Sequence, residues 1–289
     1  MKKLILIYFL VCSLAFAKTL EIKIAKSPAG TENYIKLLLE KSLKQMGHDA
    51  KITFTNDEMG FERGFGALAS NEINVYWSGN TDQVKGDVYY LNIPITNNLL
   101  GTRLFFIPKG TAKDYENIYT LEDLRKSGKV GGFGRGWSDV TIWKNNNLPY
   151  LEKENGNWAA IFTMMAKKTR GIDYFSRGVI EILPEKAAII DKNNLALEVE
   201  PNLIFKYNGD FLIYLNKKNG ELNKIIESAL LNAQKSGLIT KTVEEFWKKD
   251  FDELKALGAE KIKGKIVFYN HIFPQNVVNS FDGYGEAGP

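Results

Sequence analysis

The stretch LEIKIAKSPAGTENYIKLLLEKSLKQMGHDAKITFT, residues 20–55, decides the fold class of this chain. Apolar and polar residues alternate over residues 20–25, which is typical of a half-buried strand, and residues 50–55 form a second predicted strand. Between them, apolar residues recur at helical spacing after Gly30, and Gly47 stands where a glycine commonly ends a helix. Strand, helix and strand in this order indicate an α/β layer.

The same alternation of helices and strands continues toward the C-terminus. A helix is predicted over residues 61–70, and strands are predicted over residues 73–77 and 102–107. The pattern then begins again, with Thr120 as the N-cap of a helix and Asp123 three residues on. Further strands are predicted at 129–133, 171–175, 195–199, 211–215 and 266–269, and further helices from Ser138, Asn157 and Gly178, over 221–234 and over 242–257.

The N-terminus has the layout of a secretory signal peptide. Lys2 and Lys3 precede an apolar run at residues 4–16, and the small-residue site Ala-Phe-Ala ends at Ala17. The run is shorter than the roughly 20 residues that span a bilayer. We expect cleavage after Ala17 and a mature protein in the periplasm. Two alternatives stay open, an uncleaved membrane anchor and lipid attachment at Cys12.

Composition excludes several classes of function. The chain is 44% hydrophobic and 25% charged, as in soluble globular proteins. Its 38 basic and 34 acidic residues are nearly balanced, which does not favour nucleic acid as a partner. The single cysteine lies in the predicted leader, and there are two distant histidines. We therefore expect no disulfide, no metal site, no cofactor and no Ser-His-Asp triad.

Three segments together resemble the family 3 periplasmic solute-binding proteins. They are FERG with the following ALASNEINV (residues 61–75), TLEDL (residues 120–124), and the closing segments NGEL, SGL and EEFW between residues 219 and 247. The resemblance implies a two-lobed type II fold, with a ligand cleft between the lobes and strand-like hinges. Residues 18–101 and 213–289 would form lobe one, with a mobile tail at 279–289, and residues 106–207 would form lobe two.

The turn at residues 79–85 departs from the family pattern. Amino-acid binders of the family usually carry an arginine there that clamps the ligand carboxylate, and this chain has Val84 instead. Two other segments, residues 99–103 and 174–182, are similar to a less characterised subgroup of the family. Ordinary amino-acid recognition is therefore not expected from this turn.

Eight residues are candidates for ligand binding. Arg135 lies between glycines before a helix, which suits a carboxylate or simply a tight turn. Arg103 interrupts an apolar strand, so it needs a partner, either a structural carboxylate or a ligand. Arg177 and Glu181 are four residues apart and form either an exposed helical ion pair or a polar pair facing the cleft. The remaining candidates, each also explicable by core packing or capping, are Tyr34, Trp77, Trp137 and Ser138.

The leading functional hypothesis is a binding protein rather than an enzyme. It would trap a small polar metabolite, amino-acid-like or carboxylate-bearing, by lobe closure and serve an ABC transporter permease or a membrane sensor, as a monomer without nucleic acid. The second hypothesis is a dehydratase-type enzyme on the same scaffold, with Glu181 or Glu185 as the general acid.

Overall fold

The computed structural model describes residues 19–27, 30–81, 84, 86–153 and 158–256. The predicted signal peptide, the strand predicted at 266–269 and the tail at 279–289 lie outside these residues. Within them, no helix combines the length and the apolar character needed to span a membrane.

The secondary structure follows the predicted alternation of strands and helices. The strands are β1 (Leu20–Lys26), β2 (Ala50–Glu58), β3 (Val75–Ser78), β4 (Val88–Tyr90), β5 (Thr102–Pro108), β6 (Gly131–Gly134), β7 (Tyr150–Lys153), β8 (Tyr174–Gly178), β9 (Leu197–Val199), β10 (Phe205–Lys206) and β11 (Leu212–Asn216). The main helices are α1 (Thr31–Gln45), α2 (Phe61–Ala69), α3 (Leu121–Ser127), α4 (Ser138–Asn145), α5 (Ala160–Ala166), α6 (Val179–Glu185), α7 (Gly220–Lys235), α8 (Leu238–Phe246) and α9 (Lys248–Ala256).

Lobe one is built on a five-stranded sheet with the order β2-β1-β3-β11-β4. β1 pairs in parallel with β2 and β3, and β11 pairs antiparallel to β3 and β4. The apolar side of α1 packs on the sheet, with Ile35, Leu38 and Leu39 fully buried. The carboxyl ends of β1 and β3 therefore lie at the same edge of this sheet.

Lobe two is built on a second sheet with the order β10-β5-β8-β6-β7, and β9 pairs with β5 beyond this path. Its core divides into two apolar clusters. One cluster includes Phe105, Trp143 and Phe205, and the other includes Phe106, Phe162 and Phe175. Each lobe thus has its own core, and the boundaries predicted for the lobes remain predictions.

Two segments that pack against each other connect the lobes. Gly101 donates its N–H to Gly209 O at 2.8 Å, and Tyr207 donates its N–H to Gly101 O at 3.0 Å. A Cβ built on Gly101 would overlap the Tyr207 carbonyl oxygen. The connection before β5 is a turn rather than strand-like, with Asn97 and Asn98 at positive φ. The two connections are close-packed, and glycine is required at Gly101 by contact rather than by dihedral angle.

The C-terminal helix predicted over residues 242–257 is instead two helices, α8 and α9, separated at Trp247. Leu254 on α9 is buried in a core cluster of lobe two, whereas Trp247 is buried in the core of lobe one. The chain therefore crosses between the lobes once more near its end. The segment predicted as a helix from Gly178 is α6 followed by a π-helical turn at Lys186–Asp191.

Candidate functional site

A cavity lies between the two lobes, at the ends of β1, β3, β5 and β8. The volume in which the centre of a water-sized molecule fits is about 120 Å³. A single water needs about 10–15 Å³ of such volume, so the cavity has room for roughly ten non-hydrogen atoms. It is lined by Ala25, Ser27, Thr31, Met59, Gly60, Phe61, Tyr76, Trp77, Ser78, Gly79, Leu100, Arg103, Trp137, Ser138, Asp139, Trp158, Arg177, Glu181, Glu185 and Phe211.

Arg103 on β5 is buried and fully hydrogen-bonded. Its Nη2 donates to Asp139 Oδ1 and to Ser176 O at 3.3 Å. Its Nη1 donates to Leu100 O at 2.9 Å and to Glu181 Oε2 at 3.4 Å, and its Nε donates to Ser176 Oγ at 3.3 Å. These bonds use all five N–H donors of a guanidinium. Arg103 therefore orients the two carboxylates and has no donor left for a ligand.

Arg177, near the end of β8, packs against aromatic rings. Its guanidinium carbon lies 4.7 Å from the Trp137 ring centroid and 4.8 Å from that of Trp158, which is cation–π distance. Nε donates to Glu185 Oε2 at 2.7 Å, and Nη2 donates to Glu185 Oε1 and to Glu181 Oε1, the latter at 2.7 Å. Burial alone would lower the pKa of Arg177, but Glu181 and Glu185 raise it overall, so the group stays charged.

Two carboxylates of α6 complete the network. Gly178 donates its backbone N–H to Glu181 Oε2 at 2.8 Å, which fixes Glu181 in the first turn of the helix. Glu185 is 1% exposed. Burial raises its pKa to about 7, although Arg177 opposes the rise. A proton on Glu185 is thus gained or lost near neutral pH.

Two polar atoms of this network have no hydrogen-bond partner among the residues that the structure describes. Both bonds to Asp139 reach Oδ1, one from Arg103 and one from Tyr207, and within the described part of the chain no donor reaches Oδ2. Likewise, none of the hydrogen bonds of Arg177 uses Nη1. Both residues line the cavity, so one acceptor and one donor remain available to a bound molecule.

The wall contributed by lobe one is uncharged among the described residues. It is formed by main-chain and small side chains at the end of β1 and the start of α1, together with the aromatic rings of Phe61, Tyr76 and Trp77. Gly79 lies against the opposite wall, since a Cβ built on it would be 3.0 Å from Ser138 Oγ. The lobes are therefore nearly in contact at this point.

Six of the eight predicted residues line the cavity, namely Trp77, Arg103, Trp137, Ser138, Arg177 and Glu181. For two of them, the secondary structure or the hydrogen bonding differs from the prediction. Ser138 is the first residue of α4 and makes no capping bond, because Trp137 occupies the N-cap position. Arg177 lies on β8 rather than on a helix, and its ion pair with Glu181 is buried rather than exposed.

Tyr34 and Arg135 do not line the cavity. Tyr34 is fully buried in the core of lobe one, where its hydroxyl donates to Ile95 O and its ring packs on Trp247 with centroids 4.4 Å apart. Arg135 is exposed at the end of β6. The nearby glycines serve packing, since a Cβ on Gly132 would lie 2.9 Å from Ile161 and Ile172, and only Gly136 has a positive φ among Gly131–Gly136.

Trp158, Asp139 and Glu185 also line the cavity, although they are not among the eight residues predicted to bind a ligand. Trp158 precedes α5 and lies beside Arg177. The one signal available in the sequence was the need of Arg103 for a buried partner, and that signal does not say which carboxylate supplies it.

Comparison with known proteins identifies the fold. No family model matches the sequence, and the search of curated proteins finds no significant match. An ancestral arginine-binding protein bound to arginine matches with a TM-score of 0.53 at 19% identity, over 78% of this chain and 97% of that chain. An amino acid ABC transporter substrate-binding protein from Streptococcus pneumoniae, bound to L-arginine, matches with a TM-score of 0.52 at 16% identity, over 80% and 95%.

A sensor domain shares the same architecture. A histidine kinase sensor domain with similarity to periplasmic binding proteins matches with a TM-score of 0.52 at 16% identity, over 79% of this chain and 95% of that chain. These likenesses, the two sheets and the cavity between them agree with the sequence prediction. The chain has the two-lobed type II periplasmic-binding-protein fold.

Proposed function

We propose that the chain is an extracytoplasmic receptor that traps a small polar metabolite between its lobes. The observation that supports this is the cavity, which both lobes line and in which Asp139 Oδ2 and Arg177 Nη1 have no hydrogen-bond partner among the described residues. Clefts with apolar walls and a few fixed polar groups are typical of small-molecule sites. Such a receptor needs no covalent chemistry, because higher affinity for the closed state is enough to drive closure.

A membrane protein is the expected partner of this receptor. Among the structures of this fold are a transporter's substrate-binding protein and a kinase sensor domain, so the ligand-bound form would be presented either to an ABC transporter permease or to a membrane sensor. The predicted signal peptide and a periplasmic location fit either partner. We propose the transporter role and a monomeric receptor.

A thermal-shift screen of the mature protein tests the receptor function. Amino acids, amines, organic acids and sugars would be added singly, and a ligand at 100 times its Kd should raise the free energy of unfolding by about 2.7 kcal/mol. Small-angle scattering with and without the hit should then show compaction. If no compound in a broad library changes the melting temperature, the proposal is wrong.

An enzymatic function has one observation in its favour. Glu185 lines the cavity with a pKa raised by burial to about 7, which suits a general acid at neutral pH. However, both of its oxygens receive hydrogen bonds from Arg177. Mass spectrometry of a bound ligand after long incubation separates the two functions. A receptor returns it unchanged, whereas an enzyme gives a product that disappears in Glu185→Gln.

A further inference from the structure

The charged side chains that line the cavity carry a net negative charge. Within the described part of the chain they are three carboxylates and two guanidiniums, and all five belong to lobe two. Arg103 and Arg177 stay charged, because nearby carboxylates raise the pKa of both. With its carboxylates ionised, the network has one negative charge in excess.

Neither the lobe-one wall nor the nearby helix ends reverse this sign. Helices α1, α2, α4 and α6 begin at or beside the cavity, and a helix N-terminus carries a partial charge of about +0.5. Each of these helices has a carboxylate in its first turn, namely Glu32, Glu62, Asp139 and Glu181. Glu32 is 4% exposed and accepts from the N–H and the hydroxyl of Ser27, a residue that lines the cavity. Asp139 and Glu181 are already counted in the network, so Glu32 and Glu62 are the additional acids, and they balance the partial charges of the four helices, about +2 in total.

The two atoms that lack a hydrogen-bond partner show where in the cavity a ligand can meet the excess negative charge. Asp139 Oδ2 is an acceptor that no donor reaches in the described part of the chain, on a side chain that is 11% exposed and lines the cavity. An ammonium or guanidinium group supplies the missing donor and neutralises the excess charge. Arg177 Nη1 is the complementary donor, and it suits an oxygen of the same ligand.

We propose that the cleft selects ligands with a net charge of +1, whose cationic group binds Asp139 and whose oxygen binds Arg177. The proposal rests on the receptor function and narrows its ligand class from polar metabolites in general to organic cations with an acceptor oxygen. The aromatic wall of Phe61, Tyr76 and Trp77 on lobe one then covers the cation, an arrangement that favours positive charge.

Ligands that differ in charge but hardly in size test the proposal. Ornithine, glutamine and glutamate are five-carbon amino acids with net charges of +1, 0 and −1 at pH 7. Titration calorimetry at low salt and pH 8, where Glu185 is ionised, should give a Kd for ornithine about tenfold below that of glutamine, with glutamate weakest, because desolvated charges interact strongly. Tighter binding of glutamine or glutamate would overturn the proposal and leave the receptor function standing.

A second series of compounds distinguishes a receptor for simple amines from a receptor for cationic amino acids. The compounds 5-aminopentan-1-ol, 5-aminopentanoate and 5-hydroxypentanoate have the same three charges without an α-amino acid group. Binding of 5-aminopentan-1-ol in preference to the other two supports an amine receptor, and preference for +1 in the ornithine series alone supports a cationic amino acid. Absence of binding by all six, together with a negative library screen, would contradict the receptor function itself.

Asp139→Asn tests the location of the cation. It keeps the shape but removes the charge, so the preference for ornithine over glutamine should fall to about threefold or less. The control is Asp57→Asn, which removes an exposed carboxylate from lobe one and should keep the wild-type preference. An unchanged preference in Asp139→Asn would overturn the assignment of the cation to Asp139.

The wild-type protein gives a separate test if Asp139→Asn does not fold. Glu185 loses its proton near pH 7, so the network is neutral at pH 6 and has the negative excess at pH 8. Arg177, Glu181 and Arg103 are the charged groups that influence this titration. Ornithine affinity should rise several-fold from pH 6 to pH 8 while glutamate affinity falls. The opposite trend would overturn the proposal.

Discussion

The two walls of the cleft are built on different principles. Lobe one contributes aromatic rings, small side chains and main-chain groups, which are uncharged among the described residues. Lobe two contributes two arginines and three carboxylates, and their mutual hydrogen bonds stay within lobe two and its connecting segments. Closure therefore does not have to assemble the charged network. Lobe two recognises charge with a preformed site, and lobe one covers it.

The largest expected effect is a difference in unfolding free energy between two variants, each of which lacks one guanidinium, in lobe two or in lobe one. Arg103→Met leaves Asp139 and Glu181 buried without this cation, which should cost about 3–5 kcal/mol of unfolding free energy. Arg63→Met breaks the lobe-one ion pair with Asp57, whose side chains are 57% and 73% exposed, and should cost at most about 1 kcal/mol. Urea unfolding measures both. Equal losses would mean that the lobe-two network does not stabilise its wall.

Much of this fold could be predicted from the sequence, because local periodicity determines strands and helices. The structure contains the predicted order of strands and helices and the capping box of Thr120 with Asp123. It also shows the alternation of strands and helices beginning again after residue 102. The break at Trp247 could not be predicted. No proline or glycine marks it, and it depends on Leu254 packing in the core of the opposite lobe.

The site was less predictable because its partners are distant in sequence. Arg103 bonds Asp139 and Glu181, which lie 36 and 78 residues away, and no local pattern specifies such pairs. For Tyr34 the difficulty was that one local pattern fits two different environments. At the start of a helix the same aromatic residue suits either a cleft or a core, and here the core packing with Trp247 decides. Arg135 shows that glycines around an arginine can serve close packing instead of anion binding.

A positive charge placed on the lobe-one wall should cancel the excess negative charge of the cavity. Ser78 is half-buried and lines the cavity, so Ser78→Lys brings a cation opposite Asp139 and the network becomes neutral overall. Ornithine should then bind about tenfold more weakly by calorimetry. The control Ser236→Lys adds the same charge at the exposed end of α7 and should leave the affinity unchanged. Equal affinities of the two variants would show that the charge of the lobe-one wall does not matter.

Contact between the walls can be altered without changing charge. In Gly79→Ala the new Cβ would lie 3.0 Å from Ser138 Oγ, so the Ser138 hydroxyl or one of the lobes has to move by a few tenths of an ångström and closure is hindered slightly. We expect a few-fold weaker ligand binding and an unchanged melting temperature. Gly66→Ala on α2, where a Cβ meets open space, serves as the control. Adding Ser138→Gly to Gly79→Ala should restore the affinity, and failure of this rescue would mean that the two residues do not meet in the bound state.

The smallest expected effect is a proton released when a cation binds lobe two. A bound positive charge favours ionised Glu185, so its pKa should fall below the value of about 7 in the free protein. Near pH 7, ornithine binding should release on the order of half a proton, and at pH 9 almost none, because Glu185 is already ionised. Calorimetry in two buffers of different ionisation enthalpy measures this number. Glu185→Gln should abolish the release, whereas a release that persists in this variant would assign the proton to another group.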